Sequence, residues 1–196
     1  MAIMRSTIKS GGGDWLGIQK ASLKTVTDDS AKWDWADVYL TLEFDIEGSQ
    51  YPKTCRIAGS FDTNPDGTIM DCSLLRRITY ALDAFGFQGG VNQHGKWVNE
   101  QEEPIDDIAS FLETNFGSES PKYEYLVYIF KEQGKNGKLY TRIHNKFLKN
   151  TSGAEAELTS YMDFLRKKGY LKEATEAAAV VPATDLELDG LEIANL

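Results

Sequence analysis

The segment Val38-Tyr-Leu-Thr-Leu-Glu-Phe-Asp-Ile46 decides the fold class. Val38, Leu40, Leu42, Phe44 and Ile46 fall on one face at a period of two, and Tyr39, Thr41, Glu43 and Asp45 fall on the other. That is the pattern of a strand with one face on a core and one in water. Downstream, Gly48-Ser49 turns the chain into a second strand, Tyr51 to Phe61, and Asn64-Pro65-Asp66-Gly67 is a turn. Upstream, after Gly11-Gly12-Gly13, Trp15 to Val26 reads as a strand with an irregularity midway, where Leu16 and Ile18 give way to Leu23. Residues 27–36 form a polar loop that carries Trp33 and Trp35.

Helical spacing of Leu74, Leu75, Ile78, Leu82 and Phe85 predicts a helix over 72–85, stopped by Gly86. The Gly- and Asn-rich stretch 87–99 is expected to be a loop or small hairpin. Pro104 then opens a short helix to about Asn115, with Glu102, Glu103, Asp106 and Asp107 at its positive end. The best hairpin in the chain follows: Tyr123 to Phe130, the polar turn KEQGKNGK, and Leu139 to Leu148. A last helix starts from the capping pattern Ser152-x-x-Glu155, buries Leu158, Tyr161, Met162 and Leu165, and ends near Gly169. Together these elements predict a mainly β fold, a small antiparallel barrel or strongly bent sheet, with two to three inserted or appended helices. Strands and helices do not alternate, which disfavours a doubly wound parallel sheet.

A chain of 196 residues is one domain with room for an appendage. The division expected is a folded unit over 1–172 and a flexible acidic tail over 173–196. Cys55 and Cys72 lack the paired spacing of a zinc site and read as reduced, buried thiols. No stretch approaches the roughly 18 apolar residues of a membrane span, and MAIMRSTIKSGGGDW has no apolar core of a signal peptide. The expectation is a cytoplasmic protein with no membrane partner.

The net charge of −9 argues, taken whole, against a polyanion binder, yet it is unevenly placed. Residues 1–98 carry −2, 99–119 carry −7, 120–172 carry +6 and 173–196 carry −6. The basic segment coincides with the hairpin. On its second strand Lys138, Tyr140, Arg142, His144 and Lys146 alternate onto one face, and the turn adds Lys131 and Lys135. The partner strand supplies Tyr123, Tyr125, Tyr128 and Phe130. Cations that follow phosphates beside rings that stack on unpaired bases suit single-stranded nucleic acid. The competing reading is a merely solvated strand face with its tyrosines in the core. Trp33 and Trp35 are either further stacking platforms or plugs for one end of the barrel, and Trp97 favours core or lid packing.

In the tail, Asp185, Leu186, Glu187, Leu188, Asp189, Leu191, Glu192, Ile193 and Leu196 interleave acids with aliphatics. Apolar side chains within an anionic segment make a docking peptide for a partner groove with basic rims. The same segment, as an intramolecular competitor, would lie over the DNA groove when DNA is absent.

Enzymatic chemistry finds little support. His94 and His144 have no ligands at metal spacing, and the acids of 100–107 are what a helix dipole attracts. No P-loop, dinucleotide fingerprint or nucleophile elbow is present. No catalytic residue, metal or cofactor is expected.

The order of these features resembles the single-stranded DNA-binding proteins that bacteriophages encode near their replication and recombination genes. The resemblance rests on the half-buried strand pair, the helix SLLRRITYALDAFG, the Gly-rich stretch, the hairpin YEYLVYIFKEQGKNGKLYTRI and the acidic tail with an apolar end. It covers roughly residues 14–149 and the last dozen. It implies an OB-fold barrel in which Tyr140, Arg142 and Lys146 line the DNA groove, Trp33 and Trp35 stack on bases, and the tail recruits replication, recombination or repair proteins. The alternatives are a protein–protein adaptor or inhibitor that never meets DNA, and a Mg²⁺-dependent nuclease built on the acids near residue 103. The −7 block would repel DNA unless it lies on the far side from the groove, and the reading is compatible with a homo-oligomer.

Overall fold

The computed structural model describes residues 15–118 and 122–174. The fold is mainly β. Three long strands come first: β1 (Gly17–Asp28), β2 (Val38–Ile46) and β3 (Lys53–Gly59). After α1 (Ser73–Phe85) the chain makes a small ribbon, β4 (Gly90–Val91) with β5 (Trp97–Val98), and then α2 (Ile108–Phe116). The second half holds β6 (Tyr125–Gln133), β7 (Leu139–Ile143), β8 (Leu148–Lys149) and α3 (Ala154–Lys167).

The main sheet is antiparallel in the order β3-β2-β1-β6-β7, with β8 also pairing β6. In β2 the alternation of burial is complete, and its apolar positions face the core as the sequence predicts. The irregularity expected in β1 is a register shift between Leu23 and Thr25 against β2. Such a bulge bends the strand and raises its twist, so that β1 serves β2 with one half and β6 with the other. Strong bending brings the outer strands β3 and β7 into contact. They share no ladder, so the sheet is strongly bent but not closed into the expected barrel, and a seam is left between β3 and β7. At that seam Cys55 of β3 sets its Sγ 3.8 Å from the carbonyl of His144 and 3.7 Å from Asn145 Oδ1. Burial pushes the Cys55 thiol up to about 12, so it stays protonated.

The interior is filled by Leu23, Leu42, Phe44, Ile57, Ile129 and Phe147, closed by Leu74, Ile78 and Phe85 of α1 and Leu112 of α2. Gly86 ends α1 in the left-handed region (φ 76°), where a side chain would be strained. A second cluster lies on the opposite face of the sheet, where Leu158, Met162 and Leu165 of α3 cover Leu126 and Tyr128. β6 is thus buried on both faces.

Three local expectations are corrected. The second hairpin strand does not run unbroken to Leu148. Ile143 stands opposite Ile129 and Leu148 opposite Leu126, so five steps of one strand span three of the other, and after a last bond from His144 N to Tyr128 O at 2.8 Å residues 145–147 loop out of the ladder. The helix expected from Pro104 starts at Ile108, because Asp107 supplies the cap by accepting from Ser110 N at 2.9 Å, while Pro104 bridges to Val98. Finally, α3 is capped by Gly153 in the left-handed region (φ 88°), and Ser152 makes no capping bond.

Candidate functional site

The loop between β1 and β2 is fixed at its base. Asp28 Oδ1 accepts from Ser30 N at 2.9 Å, Ser30 Oγ accepts from Tyr39 N at 2.8 Å, and Asp29 N donates to Tyr39 O at 2.9 Å. Its far end is held where Asp37 N donates to Gly59 O at 3.0 Å and Asp37 Oδ2 accepts from Phe61 N at 2.8 Å. Between these anchors Trp33 and Trp35 stay in water, 44% and 56% exposed, and they are not plugs of the sheet's interior. Trp33 stacks on Tyr39 with centroids 5.6 Å apart, and Trp35 meets the same ring edge-on at 5.9 Å. The three rings form a single solvent-facing platform.

Beside the platform, Arg56 projects from the outer face of β3, with its guanidinium 5.2 Å from the Tyr39 centroid. Arg56 is also one wall of a groove of about 290 Å³ along the β3–β7 seam, lined besides by Arg77 of α1, Phe130, Glu132, Arg142 and Asn145. Three guanidiniums thus face one carboxylate. Glu132 engages Arg142 at 3.4 Å, but both side chains are over 40% exposed, so the pair is weak and open to exchange for a phosphate.

The hairpin tip lies beyond Glu132 and Arg142 along β6 and β7. Lys135 and Lys138 are exposed in the turn, and Tyr140 lies over it, with Asn136 Nδ2 donating to its hydroxyl at 2.8 Å and Arg142 over its ring at 5.2 Å. A side chain at Gly134 would come within 2.6 Å of the Tyr140 ring, so the turn needs glycine there for the ring to lie flat. Of the residues singled out in the sequence, Phe130 and Arg142 line the groove. Trp33 and Trp35 are linked to Arg56 through the shared Tyr39 ring, Tyr140 stands beside Arg142, and Lys135 and Lys138 mark the tip.

Lys131 faces away from Phe130 and Glu132 on β6 and does not line the groove. His144 and Lys146 also leave the row: His144 N still donates to Tyr128 O at 2.8 Å but its ring packs on Tyr161 of α3, and 145–147 loop out of the ladder. His144 Nδ1 accepts from Lys146 N at 3.0 Å, and burial, together with the Lys146 charge, lowers its pKa below 6.5 despite that bond. Lys146 reaches Glu157 at 3.3 Å and sits 4.5 Å from the Tyr161 ring centroid, so its side chain is only 17% exposed. Tyr125 and Tyr128 are buried, Tyr125 against Phe44 and Tyr128 beneath α3.

Arg56, Arg77 and Tyr39 were not singled out from the sequence. Alternation does place Tyr39 and Arg56 on the water face of their strands, but a lone arginine carries no signal until the seam brings β3, α1 and β7 together. Among the described residues, none of 99–119 lines the groove. That block packs elsewhere: α2 lies against β1, with Glu113 Oε2 accepting from Val26 N at 2.9 Å. No group of three or more His, Cys, Asp or Glu able to hold a metal occurs among the described residues. Trp97 packs against the main core. Residues 185–196 lie outside the described residues. No helix among the described residues is long and apolar enough to cross a membrane. No protein-family model and no curated protein matches this chain.

Proposed function

We propose that the protein binds single-stranded DNA without sequence preference, coating it during phage DNA replication and recombination in the host cytoplasm. The observation that carries this reading is the exposed ring platform of Trp33, Trp35 and Tyr39 beside a groove with three arginines, Arg56, Arg77 and Arg142. Stacking tolerates any base and guanidiniums take phosphates, which is the chemistry of sequence-neutral single-strand binding.

The strand order supports an OB-like reading. With the small ribbon set aside, five strands run β3-β2-β1-β6-β7 with α1 between the third and fourth, and the ends meet without pairing. OB-folds are five-stranded, partly open barrels that bind oligonucleotides on the face of strands two and three and on the loops joining strands one to two and four to five. Those places here are Tyr39 and Arg56, the Trp33–Trp35 loop, and the turn of Lys135 and Lys138. The tail of 173–196 is assigned the recruitment of replication or recombination proteins, with no catalytic activity and no cofactor.

The test is a titration of fluorescent oligo(dT) at two salt concentrations, with and without Mg²⁺. Three arginine–phosphate contacts give an expected slope of log K against log salt of about −2. Absence of binding at low salt overturns the reading in favour of an adaptor, and Mg²⁺-dependent cleavage overturns it in favour of a nuclease.

A further inference from the structure

Arg77 and Asn145 line not only the seam groove but also a second concavity of about 210 Å³ that opens between α1 and α3. Its other walls include Arg76, Tyr80, His144, Tyr161 and Tyr170. The chemistry is specific. Three phenol rings and two guanidiniums line it, and among the described residues no carboxylate does. Tyr170 is 72% exposed, and among the described residues the ion pair of Arg76 is with Asp71 at 3.9 Å across open surface. Tyr80 and Tyr161 meet edge to face at 6.0 Å, with the Lys146 ammonium lying over both rings. A site of this kind repels cations and takes an anion that carries flat rings. The neighbouring groove, which shares Arg77 with it, has the same preference.

We infer that a single strand occupying the seam groove continues past Arg77 into the α1–α3 concavity, where Arg76 takes phosphate and Tyr170 stacks on a base. This rests on the single-strand reading above and deepens it: α3 becomes part of the binding surface, and the footprint grows beyond the OB-like strands. Single-strand sites cover about 4–16 nucleotides per OB fold, so an extension changes the response to oligomer length.

The experiment measures the full chain and the double variant Arg76→Ala/Tyr170→Ala against oligo(dT) of about 6 and about 16 nucleotides, the two ends of that range. Both side chains are exposed, and a thermal melt of the variant checks its fold. The expected result is unchanged affinity for the short oligomer and a loss of about fivefold or more for the long one, the least that one lost stacking contact gives. Equal affinity of the two proteins for the long oligomer overturns the extension and leaves the seam groove standing. An equal loss at both lengths also overturns it, since the concavity would then act on the seam groove itself. If the unmodified chain binds neither oligomer at low salt, the single-strand reading falls and the extension falls with it.

Discussion

Arg56 lies over the ring of Tyr39 at 5.2 Å, across the ladder between β3 and β2, and so joins the aromatic platform to the arginine groove. The ring that Trp33 and Trp35 lean on is the one that steadies a guanidinium facing the groove. Stacking and phosphate contact therefore share one support. A cation–π contact at such an exposed site is worth about 0.5–1 kcal/mol.

Replacing Trp33 or Trp35 by alanine removes a stacking face without opening the core. Each substitution is expected to weaken oligo(dT) binding by about 1–3 kcal/mol. Thermal melts should shift little, because both rings are already half in water. Quenching of tryptophan fluorescence on titration should fall in step.

Glu132 is the one carboxylate on the groove wall among the described residues and competes with phosphate for Arg142. Glu132→Gln is expected to raise affinity by about two- to fivefold, the range a surface ion pair allows. Arg142→Gln should lower affinity and reduce the salt slope by about 0.7. Paired titrations across a salt series read both effects.

His144 is held neutral, its pKa lowered below 6.5 first by burial and further by the charge of Lys146. The unfolded chain protonates this residue near its ordinary value and the folded chain resists, so the unfolded state binds more protons as pH falls through 6.5. Its contribution to stability is fully present above that value and is lost progressively toward acid. Urea unfolding at pH 7.5 and 5.5 should show a drop in the natural chain that is smaller in His144→Gln.

Phe44 is fully buried and meets Phe147 edge-on at 5.2 Å. Phe44→Ala is expected to cost about 3–5 kcal/mol in urea unfolding. The variant should bind oligo(dT) normally once the titration is scaled to the folded fraction, since Phe44 lies on the inner face.

The first two residues of the acidic tail, Glu173 and Ala174, are bonded to the folded unit. Glu173 accepts from Arg166 Nε at 2.7 Å and from the Tyr128 hydroxyl, and Ala174 N donates to Lys131 O at 2.8 Å. Deleting 175–196 removes five acids and is expected to raise DNA affinity at low salt, with the gain vanishing as salt screens it. Equal affinity of the two chains would remove the tail as a competitor.

Much of this architecture was legible in one dimension. The period-two stretch of β2 was read residue by residue, the bulge of β1 showed as a break in its apolar pattern, and Gly86 marked the end of α1. What misled was competition among local signals. Residues 139–148 alternate well enough for one strand, yet 145–147 leave the ladder while Phe147 fills the core. Ser152 matches a capping pattern that Gly153 pre-empts, and Pro104 precedes a better cap at Asp107. At the site, Trp33, Trp35, Tyr140 and Arg142 were visible through composition and alternation. Arg56 and Arg77 were not, since their meeting with Arg142 depends on contact between strands far apart in sequence.

Burial of β6 on both faces gives it the role of a party wall. The interior of the bent sheet leans on Val127 and Ile129, and α3 leans on Leu126 and Tyr128, so neither compartment can be rebuilt without disturbing the other. The hairpin that carries Lys135 and Lys138 springs from this strand as a cantilever clamped at its base. Its tip carries the two lysines out into solvent, while its root is fixed where the strand is buried on both faces.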